Sequence, residues 1–360
     1  MIWKPKEKEL TREDTIALAI KELEPFWFGI PPQIAGIKTS EGYAVLPLDP
    51  QFSKLSWLIF FIDPTDNSGQ SAALFAKEWY RRYHLHGVEF LFSLVPTYKD
   101  WRTRNTVNDY REALQLQFPV SIDIDLNVTK AFGAKAPPMV LLLHNGHQYF
   151  TYSGDDWLKN AELNIQDFLR IKDPGLALSP VFTPAKTVIL DTKRLEFGYS
   201  PILGTEAPFE KPGFVATANG YRTGRFHSAS PKKLGPEEIF ISGEWMQDAE
   251  KIATNDPNAL ISFMNSAMTI SIIAQTLSKT PEIPLIVIEV DGDPAYESIA
   301  GDSLILDDSG QSILRVRQTQ VYHILKNLPA DKSQQVSLRF PNANHAPVAL
   351  YGCRFGEIAK

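Results

Sequence analysis

Leu55-Ser-Trp-Leu-Ile-Phe-Phe-Ile-Asp-Pro-Thr-Asp-Asn-Ser-Gly-Gln70 decides how this chain is read. Leu58 to Ile62 is a short run of aliphatic and aromatic side chains, the composition of a strand buried on both faces. Pro64, Asn67 and Gly69 then set a turn, and Leu74, Phe75, Glu78 and Trp79 recur at three-to-four-residue spacing, which predicts a helix over 71–83. A strand passing through a tight turn into a helix N-terminus is where α/β proteins often keep a reactive group, because free backbone amides and the helix dipole favour negative charge there. No thiol stands in this turn.

Outward from that stretch, strand and helix patterns alternate. Val88 to Val95 and Val120 to Asp123 read as extended, Val107 to Leu116 as a helix, and Asn127 to Phe132 as a further short helix. Met139 to Leu143 and Gln148 to Tyr152 flank Asn145-Gly146, a strong hairpin signal, and Asn164 to Ile171 closes the series as a helix. Parallel βαβ followed by a hairpin and a terminal helix is a thioredoxin topology. Upstream, Thr11-Arg-Glu-Asp14 has the form of a capping box for a helix to about Glu24. Pro25 ends it, and a Pro-rich loop with one strand at Tyr43 to Leu48 follows.

Beyond Ile171 the chain changes character. Residues 171–190 carry Pro174, Gly175, Pro180 and Pro184 without helical period, which places a linker at 173–190. Ile239 to Trp245, Ala259 to Asn265, Thr269 to Gln275, Leu285 to Val290, Ser312 to Val316, Val336 to Phe340 and Pro347 to Phe355 are short apolar runs punctuated by Pro, Gly, Asp and Asn. That is the spacing of an antiparallel sandwich. Thr319 to Asn327 reads equally as a short helix or a strand.

Gly87 to Tyr98, Phe118-Pro-Val-Ser-Ile-Asp123 and Ala131-Phe-Gly-Ala-Lys-Ala-Pro-Pro138 resemble consecutive blocks of the TlpA/DipZ-like thioredoxin family. The resemblance places that family's cis-proline at Pro138, although Ala136–Pro137 and Pro137–Pro138 both stay open as the cis bond. With one gap, Thr65 and Ser68 fall on the family's two active-site cysteines, and Asn67 and Gln70 on flanking residues. Thr192 to Tyr199, Ile241-Ser-Gly-Glu-Trp245 and Phe355-Gly356 resemble the opening motif, a central strand and the last strand of the carbohydrate-binding-module-like domain that follows in DipZ-like proteins. The expected architecture is therefore an N-terminal extension (1–50), an α/β thioredoxin-like domain (51–172), the linker, and an all-β, jelly-roll-like sandwich (191–360).

Thiol–disulfide exchange needs a thiolate, and a hydroxyl cannot replace it. The resemblance thus implies a redoxin fold that has lost its CxxC. The one cysteine, Cys353, lies in the alternating run Val348-Ala-Leu-Tyr-Gly-Cys-Arg-Phe355 and is expected to be a buried, inert thiol. A disulfide reductase or peroxide reductase is disfavoured on this ground. A hydroxyl- or metal-based activity at Thr65, Asp66, Asn67 and Ser68 stays open beside the plainer reading that these residues form a turn and cap the helix.

The length of 360 residues points to two domains, and 44% hydrophobic with 22% charged residues to a globular chain. A net charge of -6 without long charged runs gives no footprint for nucleic acid or an anionic membrane. No apolar run approaches the roughly 20 residues of a membrane span, and no signal peptide opens the chain, so a cytoplasmic protein is expected. His84, His86, His144 and His147 lack metal-motif spacing, so no metal and no cofactor are expected. Tyr221, Arg222 and Trp245 are the candidates for a sugar-stacking shelf, with burial of Trp245 in the sandwich core as the competing reading. The expected partners are a saccharide, a glycosylated protein or a peptide, the last in a groove beside Pro138. An assembly scaffold is the alternative, and oligomeric state is not set by the sequence.

Overall fold

The computed structural model describes residues 34–35, 46–47, 56–123, 129, 137–144, 147–153, 157–184, 189–199, 215–216, 222–226, 234 and 239–358. The expected helix at 11–24 lies outside the described residues, as does nearly all of the helix expected near 127–132. The chain divides into two compact units, residues 1–64 with 68–186, and residues 65–67 with 187–360.

The first unit is built on β1 (Ser56–Ile62), whose seven residues are all buried. Continuous burial on both faces explains why this strand reads as an unbroken apolar run rather than an alternation. The chain continues through α1 (Asn67–Tyr83), β2 (Val88–Leu94), α2 (Arg104–Leu114), β3 (Val120–Ile122), β4 (Met139–His144), β5 (His147–Ser153) and α3 (Trp157–Lys172). The sheet order is β3-β2-β1-β4-β5. β1 runs parallel to β2, with Ile59 beside Leu91, and antiparallel to β4, with Ile59 beside Leu141. β2 and β3 are parallel, and β4 and β5 form the expected hairpin. This is a thioredoxin-like α/β sheet.

α1 starts four residues before its periodicity becomes evident, because Asn67, Ser68 and Gly69 carry no apolar signal. It buries Ala72, Ala73, Ala76, Trp79 and Tyr83. Phe60 lies 6.0 Å from Trp79 and 4.8 Å from Phe92 between ring centroids, so an aromatic layer joins helix to sheet. The expected linker departs from its reading. Its described part, 173–184, belongs to the first unit: the Phe182 amide donates to Glu162 Oε2 at 2.8 Å, and Arg82 and Gln166 donate to the carbonyls of Pro180 (2.6 Å) and Ser179 (2.8 Å). Glu162 is fully buried and also accepts from the Tyr83 hydroxyl at 2.7 Å. Pro and Gly gave this segment the composition of a linker, but a buried carboxylate with three donors holds it in place.

The second unit carries β6 (Ile189–Glu196), β7 (Val215–Ala216), β8 (Arg222–Phe226), β9 (Ile239–Gln247), β10 (Ile252–Thr254), β11 (Leu260–Asn265), β12 (Thr269–Thr276), β13 (Leu285–Val290), β14 (Asp293–Pro294), β15 (Leu304–Leu306), β16 (Ser312–Arg315), β17 (Gln320–Leu325), β18 (Gln334–Arg339) and β19 (Val348–Ile358). The ambiguous 319–327 stretch is thus a strand. The main order is β15-β16-β13-β18-β11-β9-β10-β19-β12-β17, with β6 on β19 and β8 on β9. Every pairing among these strands is antiparallel.

β9 joins the two layers of this nearly closed sandwich. Residues Ile239 to Ser242 pair with β11, and Gly243 to Gln247 with β8. The change of partner falls at Gly243, whose φ of 90° and whose approach to the Ala259 Cα, 2.7 Å from where a Cβ would stand, both require glycine. Ile261, Phe263, Ile272, Ile288, Leu338 and Phe340 fill the core.

Gly69 in α1 meets a similar constraint. A Cβ there would sit 2.2 Å from the Asp63 carbonyl oxygen and 2.8 Å from the Ile62 side chain. Gly69→Ala is expected to destabilise the first unit by about 1–3 kcal/mol, despite its better helix propensity, because backbone must move to admit one methyl. A urea midpoint at or above that of the parent would refute this.

Candidate functional site

The strand-to-helix junction is the first place to look. Thr65, Asp66 and Asn67 are 0%, 1% and 1% exposed, while Ser68 is half-buried. Asp63, just before them, accepts hydrogen bonds from both the amide and the hydroxyl of Thr97. The Pro137–Pro138 bond is cis, and both prolines are half-buried immediately before β4. The junction therefore has its expected backbone elements, but the side chains at 65–67 are enclosed rather than presented.

Residues 65–67 belong to the second unit, and four adjacent strands of that unit explain their burial. Register places Arg194 on β6 beside Arg354 on β19, Arg354 beside Ser271 on β12, and Ser271 beside His323 on β17. Arg354 is wholly buried. Its Nε donates to Asp66 Oδ1 at 3.1 Å, and its Nη1 pairs with the buried Glu196 at 2.9 Å. Arg194 donates to the other Asp66 oxygen. Ser271 Oγ donates to Asn67 Oδ1 at 2.9 Å and lies 2.8 Å from His323 Nδ1. With the Ser271 proton given to Asn67, the bond to His323 requires the ring to donate from Nδ1.

This row was not legible beforehand. Its members are one polar residue from each of four strands, separated by up to 160 positions (Arg194 to Arg354). The one local signal was Arg354 itself, a cation inside a run of otherwise apolar and small residues.

The remaining candidates separate. Trp245 is 3% exposed, donates from Nε1 to the Ser242 carbonyl at 2.8 Å, and packs edge-on to Phe340 at 5.3 Å. It is a core residue and cannot stack on a sugar, which corrects its place in the proposed shelf: its position in an alternating strand turns it inward. Arg222 opens β8, and Tyr221 lies outside the described residues. Cys353 is fully buried, and burial pushes its thiol well above the usual range. His144 Nδ1 lies 3.0 Å from Ser56 Oγ, and burial lowers its pKa, with Lys172 adding to the effect. Among the described residues, no three His, Cys, Asp or Glu side chains are grouped to hold a metal, and no helix is long and apolar enough to cross a membrane.

No protein-family model matches the chain, and no curated protein matches it. Among solved structures it is similar to a thioredoxin-like protein in its oxidized form, at 17% identity and TM-score 0.31 over 33% of this chain and 80% of that one. A proposed thioredoxin from Neisseria meningitidis is similar at 21% identity and TM-score 0.32, over 41% and 91%. StoA from Bacillus subtilis is similar at 15% identity and TM-score 0.29, over 38% and 98%. Likeness at these values bears on no activity.

Two outcomes follow from the polar row. Arg354→Met leaves Asp66 and Glu196 buried without their shared cation, and should cost about 3–5 kcal/mol in urea unfolding. A cost below 1 kcal/mol would mean that the carboxylates are solvated or protonated. Burial also lowers the His323 pKa, opposed by Asp302. A depressed histidine pKa means that the unfolded chain takes up a proton first, so its contribution is present above about pH 6.5 and is lost as pH falls toward the folded value. His323→Asn should flatten the loss of stability below pH 6.5; an unchanged pH profile would exclude His323 as its source.

Proposed function

We propose that this chain is a redox-inactive thioredoxin-fold protein that acts by binding a protein or peptide partner. The observation that carries the reading is the chemistry of the junction. Where a thioredoxin-like protein needs an accessible thiolate, this chain has Thr65, Asp66, Asn67 and Ser68, and Asp66 is committed to Arg354 and Arg194. Disulfide exchange proceeds by thiolate attack on sulfur, for which neither a hydroxyl nor a paired carboxylate substitutes. The sole thiol is buried in β19 and held protonated by its surroundings.

A peptide partner is favoured over a saccharide for a specific reason. The sugar shelf loses Trp245 to the core, whereas β5 is an edge strand of the five-stranded sheet with Tyr149, Thr151 and Ser153 exposed. An edge of this kind supplies main-chain donors and acceptors to an extended chain.

Insulin reduction in dithiothreitol separates the enzyme reading. No turnover above buffer is expected from the pure chain or from Cys353→Ser; turnover by the parent that Cys353→Ser abolishes would overturn redox inactivity. Parallel peptide and glycan arrays address the partner. Retention of extended peptides is expected, and retention of glycans alone would overturn the peptide reading in favour of the sandwich.

A further inference from the structure

A cleft of about 560 Å3 opens in the first unit, and none of its lining residues belongs to the 65–68 turn. One wall is the outer face of α1, where Leu74, Lys77, Glu78 and Arg81 follow at three-to-four-residue spacing. The second wall is aromatic, with Phe182 from the segment after α3 and the buried Phe118 from the approach to β3. Tyr80, on α1 itself, lies 5.4 Å from Phe118 and stacks on His84 at 4.5 Å. Phe182 is fixed by the Glu162 bond to its amide and by edge contact with Phe75 at 5.5 Å, so this wall is preformed. Volume and lining match a small-molecule site, a mostly apolar cavity with a few polar groups.

Charge within the cleft is unbalanced. Glu78 accepts from Arg81 Nε at 2.9 Å and from Arg82 Nε at 2.6 Å, and its carboxyl is held down to about 2, chiefly by the Arg81 hydrogen bond. Its negative charge is thus fully engaged. Lys77 makes no hydrogen bond or ion pair with another described residue and lines the cleft between Leu74 and Arg81. A cleft of mainly apolar surface with one uncommitted cation at its wall is complementary to an apolar body that carries a negative charge.

We propose that this cleft binds a small aryl carboxylic acid, its ring against Phe182 and its carboxylate on Lys77. The site is independent of the redox chemistry of the 65–68 turn, so insulin reduction and ligand titration can fail separately.

Calorimetric titration of the full chain with naphthalene-1-acetate, and in parallel with neutral naphthalene-1-acetamide, tests the proposal. The acid should bind about tenfold more tightly than the amide, the scale of a charge-assisted contact. Lys77→Gln, at a partly exposed position, should weaken binding of the acid to the level of the amide. Leu74→Trp should fill the chamber and abolish both, with Gln117→Trp at the rim as the second blocking variant should the first fail to fold. No binding of the acid, equal binding of acid and amide, or an unchanged affinity in Lys77→Gln or in a folded blocking variant would each overturn it.

Discussion

The guanidinium of Arg354 is completely buried, and burying a cation is tolerable only where anions and acceptors surround it. Asp66 and Glu196 supply the two carboxylates, and the Cys353 carbonyl accepts a further bond at 3.2 Å. This one requirement fixes much else. It holds Asp66 in an ion pair, encloses Thr65 and Asn67 with it, and aligns β6, β19 and β12 so that Arg194 and Ser271 flank the same group. An aspartate used in this way is a structural anion.

The same logic recurs in the first unit with the sign reversed. Glu162 is a buried carboxylate that gathers the Tyr83 hydroxyl, Arg82 and the Phe182 amide. Burial raises the Tyr83 hydroxyl above its usual range, so it remains a donor at any ordinary pH. Two irregular segments are therefore tied down by buried charges, the second with the help of the Phe75–Phe182 contact. One of them, 173–184, supplies a wall of the cleft above α1, so a charge network in the interior creates a concave surface outside it.

The burial pattern along each element accounts for what could be read in advance. β1 and β4 stood out as continuous apolar runs because both faces are covered. α1 and α3 stood out through helical spacing, though each begins earlier than that spacing shows; in α1 this is because its first turn, Asn67 to Gln70, carries no apolar side chain. Trp245 could not be assigned to core or surface by composition, because an aromatic on an alternating strand suits either face until the opposite sheet is placed. The segment after α3 was misread because Pro and Gly report backbone conformation and say nothing of a distant carboxylate.

The sequence by itself determined the order of the main elements, the change of pattern from α/β to all-β beyond Ile171, and the lack of a thiol at the strand-to-helix turn. Those properties follow from local periodicity and from residue identity, which survive without knowledge of neighbours. Only the tertiary structure decided that Asp66 serves Arg354, that Trp245 is core, and that α1 and Phe182 enclose a cleft. Each of these depends on strand register and on long-range burial, and register is shifted by irregularities such as those at Ile270/Ser271 and Phe355/Gly356 that no local pattern announces.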